Sequence, residues 1–316
     1  MRTRHLFILG AQKCGTSSIA AALERAFDEI ELSSPKEPMI FSRGDFDAHR
    51  TLFSDPEVEF FASDVTLMRW HEASFHTDRP VKLDASTSYL ISSRACETIT
   101  RLFPDAMALI VVRDPMERLV SAYWHYVRTG LICHGFDRAI EMGPSHLVSN
   151  GFYLEQVQQA RLHLGEANVF VAESTAIQQD VEGFMQAIAR FLDLPRPRRC
   201  ELGQENKGYY PLSPGLQLAA NYLRQRSGKR FFHLARTESR LRTYGLLGAL
   251  AEVASRFNLR SSSRPAIRTR LLHRLRQLYQ SRNDGIDAIL DFGSTSQSYD
   301  AGSNALLDME NKYRDS

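Results

Sequence analysis

The loop between Gly10 and Gly15 combines residue types that bind anions. It follows a short apolar run at 5–9 and precedes a segment whose apolar residues recur at helical spacing. A loop that leads into a helix N-terminus presents free backbone N–H groups and the positive end of the helix dipole to a ligand. Lys13 adds a full positive charge inside the loop. The pattern therefore predicts a site for a phosphate or sulfate group.

This loop differs from that of an ATP-dependent kinase. A Walker A loop, GxxxxGK[ST], carries its lysine directly after the second glycine. Here Thr16 follows Gly15, the lysine is Lys13, and Arg113 rather than an acid follows the later apolar run at 108–112. The residues that hold Mg²⁺ in kinases are missing from the pattern. A P-loop kinase-like phosphotransferase is the alternative, and dependence of activity on Mg²⁺ would distinguish the two.

A second group of anion-binding residues begins where the apolar run at 108–112 ends. Arg113 comes directly after this run, and Asp114 followed by proline gives a strong helix start. Arginine suits phosphate because its planar guanidinium forms paired hydrogen bonds with phosphate oxygens. Ser121 lies on the predicted helix and adds a hydroxyl donor, whereas Arg118 could simply form a salt bridge on the helix surface.

Together the two motifs resemble those of PAPS-dependent sulfotransferases, especially the carbohydrate-modifying branch of that family. QKCGTSS at 12–18 is similar to the family's 5′-phosphosulfate loop, and RDPMERLVSAY at 113–123 to its 3′-phosphate motif, RxPxxRxxSxY. The resemblance implies 3′-phosphoadenosine 5′-phosphosulfate (PAPS) as donor substrate, 3′-phosphoadenosine 5′-phosphate (PAP) as product, and no metal. It assigns to the nucleotide Lys13, Cys14, Gly15, Thr16, Ser17, Ser18, Arg113 and Ser121.

The resemblance also gives Lys13 a catalytic role. In the family, the loop lysine bonds the oxygen that bridges the phosphate and the sulfate. Sulfuryl transfer breaks an S–O bond, so negative charge grows on this oxygen. A cation fixed beside it stabilises the transition state more than the ground state.

Glu37 is the second catalytic residue that the resemblance implies. PKEPMIF at 35–41 resembles the family's K-E-x-x-F/Y-F segment, in which the glutamate is the proposed general base. A carboxylate beside the acceptor can take the hydroxyl proton as the O–S bond forms. The alternative is an exposed loop acid beside a lysine. Because another branch of the family uses a histidine base, His71 and His125 are rival candidates, although their positions favour packing or hydrogen-bonding roles.

Two further segments agree with the family less closely. LDASTSYL at 83–90 resembles G-E-x-[ST]-P-x-Y-L, with Ala85 where some glycan-modifying members have a lysine and Lys82 out of register. NKGYY at 206–210 resembles the late K-G-F/Y-Y/W loop that closes over the nucleotide. This second resemblance assigns to the nucleotide Lys207, Gly208 and Tyr209.

The elements that position these motifs alternate between short buried strands and helices. We predict strands at 5–9, 108–112 and 169–172 and helices at 16–27, 115–126, 153–164 and 183–192. This alternation predicts an α/β fold whose P-loop-like, mainly parallel sheet is flanked by helices. Helices without obvious strands follow Pro214. We therefore expect a PAPS-binding α/β domain at 1–214, a helical basic extension packed on it at 215–292, and a flexible tail at 293–316.

Composition indicates a soluble protein of a reducing compartment. Apolar residues make up 43% and charged residues 24% of the chain, as in ordinary globular domains. The apolar run near the N-terminus is too short for a signal peptide, and no run approaches the ~18–20 residues that span a bilayer. Four cysteines lie far apart without metal-ligand spacing. These features predict a cytoplasmic enzyme of bacterial type.

Charge is distributed unevenly along the chain. Residues 224–282 carry a net charge of +13 and the remainder −11. Such a segment is either a solvated helical face or a surface that attracts an anionic glycan or a membrane surface. A nucleic-acid-binding protein would not need the two phosphate motifs, so no nucleic acid is expected. A carbohydrate, either a polysaccharide or a glycolipid, is the expected acceptor; a small natural product and a non-catalytic nucleotide-binding relative are the alternatives.

Overall fold

The computed structural model describes residues 3–42, 62–142, 146–203, 209–226, 246–261 and 263–293. Its central sheet contains β1 (Arg4–Gly10), β2 (Ile30–Leu32), β3 (Val81–Asp84), β4 (Met107–Val112) and β5 (Val169–Glu173). The spatial order is β2-β3-β1-β4-β5, and every neighbouring pair is parallel. The sheet confirms the α/β fold expected from the sequence.

The central strands are buried along nearly their whole length. In β4 every residue after Met107 is buried, and β1 is buried from Leu6 to Gly10. Apolar strands of this kind form where helices cover both faces of a parallel sheet, because neither face then meets water. The carboxyl ends of β1 and β4 are adjacent, which brings the segments that follow them to one edge of the sheet.

Twelve helices occur within the described residues. In chain order they are α1 (Thr16–Ala26), α2 (Asp64–Glu72), α3 (Ser93–Leu102), α4 (Pro115–Arg128), α5 (Phe136–Met142), α6 (His146–Ser149), α7 (Tyr153–Leu164), α8 (Ser174–Gln179), α9 (Val181–Phe191), α10 (Pro214–Arg226), α11 (Leu246–Asn258) and α12 (Leu272–Arg282). Those expected from apolar spacing, α1, α4, α7 and α9, end within two residues of their predicted bounds. Single 3₁₀ turns lie at 40–42, 89–91, 166–168 and 286–289.

The expectation that strands end before Pro214 is wrong. A short antiparallel pair joins β6 (Tyr210–Pro211) to β7 (Leu259–Ser261). With three residues, one of them an arginine, β7 is too short to show an alternating pattern. The same shortness hides β2 in the sequence.

The C-terminal helices pack on the α/β body through buried asparagines. Asn221 of α10 donates to the carbonyls of Val127 and Ile132, at 2.7 Å each. Asn283, after α12, accepts from the backbone N–H of Tyr153 at 2.7 Å. The backbone N–H of Glu173 in β5 donates to the carbonyl of residue 292 at 2.9 Å. The division at 214 stays a prediction, and the expected tail at 293–316 lies outside the described residues from 294 onward.

Two simple expectations can be compared with the structure. All four cysteines are free thiols, as their spacing predicted. Within the described ranges, none of the helices combines the length and apolar character needed to cross a bilayer.

Candidate active site

The loop after β1 forms an open helix N-terminus. Residues 11–15 connect β1 to α1, whose N-cap is Gly15 with a φ of 89°, a left-handed conformation that favours glycine. Among the described residues no side chain caps this helix start, and its first turn contains no acid. Its first N–H groups are therefore available to an anionic ligand, and the helix dipole favours one.

Lys13 is the cation of this loop, and its φ of 73° is uncommon for a residue other than glycine. Burial lowers the pKa of its ammonium group to about 8, and the positive charges of Arg128 and Arg113 act in the same direction. The carboxylate of Glu37 acts in the opposite direction. Three cations and one carboxylate thus influence one another around the loop, an arrangement suited to a ligand with several negative charges.

Cys14 faces the protein interior. Its thiol lies 3.7 Å from the hydroxyl of Tyr153, and burial raises its pKa to about 11. Its backbone N–H donates to the carbonyl of Ala11 at 3.2 Å. Cys14 therefore shapes the loop from the core side, while Ser17 and Ser18 on α1 are partly exposed.

A backbone hydrogen bond at the carboxyl edge of the sheet brings the loop at 11–15 close to Arg113. The backbone N–H of Ala11 donates to the carbonyl of Val111 at 2.8 Å, which places the loop beside the residue that follows β4. The Arg113 guanidinium donates to Glu117 at 3.1 Å, one helical turn along α4. Ser121 lies one further turn along the same helix and is partly exposed. Of the two predicted 3′-phosphate residues, Arg113 thus lies directly before the N-cap of α4 and Ser121 in the second turn of that helix.

Arg264 is a residue of this site that the sequence motifs did not reveal. It donates to the same Glu117 carboxylate at 2.7 Å, and the next carbonyl, of Pro265, accepts from the indole N–H of Trp124 at 3.1 Å. The basic C-terminal segment thus contributes a second arginine next to Arg113. The high charge of that segment was the available signal, but it did not single out one position.

The segment that contains Glu37 lies against the phosphate loop. The Lys36 ammonium donates to the hydroxyl of Ser17 at 2.9 Å and to the Glu37 carboxylate at 2.7 Å. About a quarter of each charged side chain is exposed to solvent. Glu37 is therefore held near the start of α1 by its neighbour. Lys36, noted earlier only as part of a motif, is a site residue.

Hydrogen bonds also connect the segment at 35–41 to a buried carboxylate, that of Asp84. Asp84, at the end of β3, accepts from the hydroxyls of Ser86 at 2.6 Å and Tyr89 at 2.9 Å. The Ser86 hydroxyl in turn accepts from the backbone N–H of Met39 at 2.9 Å. Burial raises the pKa of Asp84 to about 7, and the charge of Glu37 adds to this effect. The motifs at 35–41 and 83–90 are thus adjacent in the fold.

Of the two histidine candidates, His71 is buried and His125 is half-buried. Burial lowers the pKa of His71 to about 3, and the ring lies 4.0 Å from the Asp84 carboxylate. Burial also lowers the pKa of His125 to about 3, helped by the charges of Lys13 and Arg128. Its Nδ1 lies 3.1 Å from the Arg128 guanidinium. These surroundings support packing and hydrogen-bonding roles.

Arg118 is completely buried, so the alternative of a surface salt bridge is wrong. One guanidinium nitrogen donates to the carbonyl of Leu147, and within the described structure its Nε and second terminal nitrogen have no hydrogen-bond partner. Its charge lowers the pKa of Cys14 and of Tyr126 against the larger effect of burial. A buried cation below the loop increases the positive potential that an anion meets.

The predicted late loop is only partly visible. Lys207 and Gly208 lie outside the described residues, and Tyr209 is exposed directly before β6.

The described part of the chain contains no group of three or more His, Cys, Asp or Glu side chains placed to hold a metal ion.

The parallel sheet and the loop that leads from β1 into the uncapped start of α1 define an α/β protein of P-loop-like architecture. The model of the Sulfotransferase family matches residues 5–198, more than half of the chain. The chain belongs to the sulfotransferase family.

Individual relatives are distant. Bifunctional heparan sulfate N-deacetylase/N-sulfotransferase 1 of Caenorhabditis elegans is 21% identical over 208 residues, which cover 60% of this chain and 22% of the relative. The chain thus spans about a fifth of the length of this curated relative. The crystal structure of a sulfotransferase from Alicyclobacillus acidocaldarius is similar with a TM-score of 0.53 and 22% identity, over 72% of this chain and 94% of that one. This likeness agrees with the fold.

Proposed function

We propose that this protein transfers the sulfuryl group of PAPS to a hydroxyl or amine of a carbohydrate acceptor. The observation that carries the proposal is the contact between the two predicted catalytic segments: Lys36, which pairs with Glu37, donates to Ser17 at the start of the helix that follows Lys13. A base for the acceptor and a cation for the leaving group are therefore close to one anion-binding helix start.

The nucleotide is held by the loop and by α4. Free N–H groups at the start of α1, with Ser17 and Ser18, bind the 5′-phosphate. Arg113 and Ser121 bind the 3′-phosphate, which takes the place of Glu117 as the partner of Arg113. Contacts from Lys207, Gly208 and Tyr209 complete the proposed site.

The reaction is an in-line displacement at sulfur. Glu37 takes the proton of the acceptor hydroxyl or amine as the new bond to sulfur forms. The bond between sulfur and the bridging oxygen breaks, its electron pair stays on the phosphate of PAP, and Lys13 stabilises that charge. Positioning both substrates on one rigid sheet edge supplies a further part of the rate gain. No step requires a metal.

A transfer assay tests this function. PAPS carrying labelled sulfur is incubated with chelator and a panel of N-desulfated and partly sulfated glycans and glycolipids. We expect label to pass to one class of these acceptors without Mg²⁺. Transfer of phosphate from ATP in the presence of Mg²⁺, with no sulfuryl transfer, would show that the kinase-like alternative is correct.

Nucleotide affinity should depend on pH through Lys13. An anionic ligand favours the charged ammonium, so PAP binding raises the pKa of Lys13 above its value of about 8 in the free protein. Affinity should then fall as the pH rises above 8, by at most about tenfold per pH unit, and level off once the pH exceeds the raised pKa, with proton uptake on binding. Calorimetry in two buffers of different ionisation enthalpy measures this uptake. In Lys13→Met, whose side chain cannot titrate, the dependence should disappear; an unchanged profile would contradict the assignment.

Arg264 should strengthen PAP binding at the 3′-phosphate. Its guanidinium shares Glu117 with Arg113 and is about one third exposed, so we expect Arg264→Ala to weaken PAP about three- to tenfold. Arg274→Ala, which removes an exposed charge from the same basic segment, is the matched control and should leave the Kd nearly unchanged. Equal losses of PAP affinity in both variants would show that the net positive charge of the segment, and not the position of Arg264, strengthens binding.

A further inference from the structure

The two helices α10 and α11 form an antiparallel hairpin whose packed side is polar. They pack on each other, and β6, directly before α10, pairs antiparallel with β7, directly after α11. Gln217 is completely buried, and its amide N–H donates to the Ser255 hydroxyl at 2.7 Å. Asn258 donates to the Gln217 carbonyl oxygen at 3.3 Å.

A charged pair extends this polar packing to the far end of the hairpin. Arg224 is buried and donates to Glu252 at 2.8 Å. Glu252 also accepts from Arg256 at 3.2 Å. The packed side of the hairpin is therefore held largely by hydrogen bonds, beside the small buried side chains of Ala220 and Ala251, and six larger apolar side chains lie outside it.

Those apolar side chains are exposed. The exposed fractions are 49% for Leu216, 43% for Tyr222, 42% for Leu223, 58% for Leu250, 51% for Val253 and 60% for Phe257. Soluble helices normally place their apolar residues on the packed side and their polar residues in water. The hairpin has the reverse polarity, which indicates an apolar environment on its outer face.

Both helices present their apolar residues on the same side. Four of the exposed residues come one position before a packed one: Leu216 before Gln217, Leu223 before Arg224, Leu250 before Ala251 and Phe257 before Asn258. An equal rotational offset in two antiparallel neighbours points both stripes in one direction. These four side chains therefore point in one direction. With the exposed Tyr222 and Val253 of the same two helices, they form the surface that we name the hairpin face: Leu216, Tyr222, Leu223, Leu250, Val253 and Phe257.

Arginines border the hairpin face. Arg226 lies over the ring of Tyr222 at 5.4 Å, and Arg260 lies over the ring of Phe257 at 4.9 Å. Arg256 is 79% exposed beside them. Glu252 is the only acid in the sequences of the two helices, and within the described residues it pairs with Arg224 and Arg256. The border of the face is thus positively charged.

We propose that the hairpin face binds the surface of an anionic lipid bilayer. An apolar stripe bordered by arginines is the pattern of a helix that lies in the membrane interface, with leucine and aromatic side chains among the acyl chains and guanidinium groups at the phosphates. A soluble anionic glycan would satisfy the arginines but leave the apolar side chains in water. The bilayer satisfies both.

Vesicle flotation of the whole 316-residue chain tests the proposal. We expect binding to phosphatidylcholine vesicles that contain phosphatidylglycerol and little binding to phosphatidylcholine alone. The double variant Leu223→Glu/Phe257→Glu should bind at least about tenfold more weakly. Replacing Arg226, Arg256 and Arg260 by Gln should cost about fivefold for each arginine on the anionic vesicles.

Controls distinguish membrane binding from loss of the fold and from self-association. Leu162→Glu, at a 74% exposed leucine of α7, should leave vesicle binding unchanged. The double variant should keep the circular dichroism spectrum and the thermal unfolding midpoint of the wild type, which shows that the fold is intact whether or not the protein binds PAP. Absence of vesicle binding, or equal binding by the double variant, would overturn the proposal. A wild-type dimer that the double variant converts to a monomer would instead identify a second copy as the occupant.

Discussion

Replacing Lys13 by alanine should lower kcat by about two to three orders of magnitude. The ammonium group stabilises the oxygen that gains charge as the S–O bond breaks, and no water molecule placed there would carry a fixed positive charge. PAP affinity should fall much less, because the helix N-terminus and Arg113 still hold the two phosphates. PAP release from PAPS, with an identified acceptor or as slow hydrolysis without one, measures the rate.

Two variants make the Lys13 result specific. Lys13→Arg keeps the charge but moves it, so it should recover only part of the lost rate. Arg190→Ala removes an exposed cation from α9 and should leave kcat unchanged. A Lys13→Ala enzyme with nearly wild-type turnover would exclude the catalytic role of the loop lysine.

Replacing Glu37 by glutamine should lower kcat by about two to four orders of magnitude. The amide has nearly the same shape as the carboxylate but cannot take the acceptor proton. Because a negative charge beside Lys13 disappears, PAP affinity should be unchanged or slightly increased. A loss of rate without a loss of nucleotide affinity is therefore the expected signature of the base.

The Glu37 prediction has its own controls. Glu72→Gln changes an exposed carboxylate at the end of α2 and should have no effect on the rate. Lys36→Met removes the contact with Ser17 and frees Glu37, so it should affect PAP affinity as well as rate. If Glu37→Gln retains full activity, His125, whose pKa Lys13 helps to lower, becomes the next candidate for the base.

Much of the fold was predictable because the strands and helices around the motifs are long and continuous. The apolar run of β4 and the spacing of α1 gave their positions within two residues. Since the carboxyl ends of adjacent parallel strands share one edge, the loop after β1 and Arg113 could be expected to belong to one site. The short strands β2, β3, β6 and β7 carried no periodic signal and were missed.

Site residues from other parts of the chain could not be predicted. Lys36 contacts Ser17 across 19 residues of sequence, and Arg264 contacts Glu117 across 147. Neither pairing follows from local spacing, because each depends on how a loop folds back over the sheet edge. The outward-facing apolar side chains of α10 and α11 could not be predicted for the same reason. The basic charge of residues 224–282 was evident, but only the packing of α10 on α11 shows which side chains face outward.

The central claim is that the two motifs together hold a nucleotide with a 3′-phosphate. Calorimetric titration of PAP and of ADP, both without Mg²⁺, tests it most directly, with the wild type compared to Arg113→Ala. We expect PAP to bind much more tightly than ADP, and Arg113→Ala to remove most of this preference by weakening PAP alone. Equal affinity for PAP and ADP, or tight binding of ATP that requires Mg²⁺, would contradict the account.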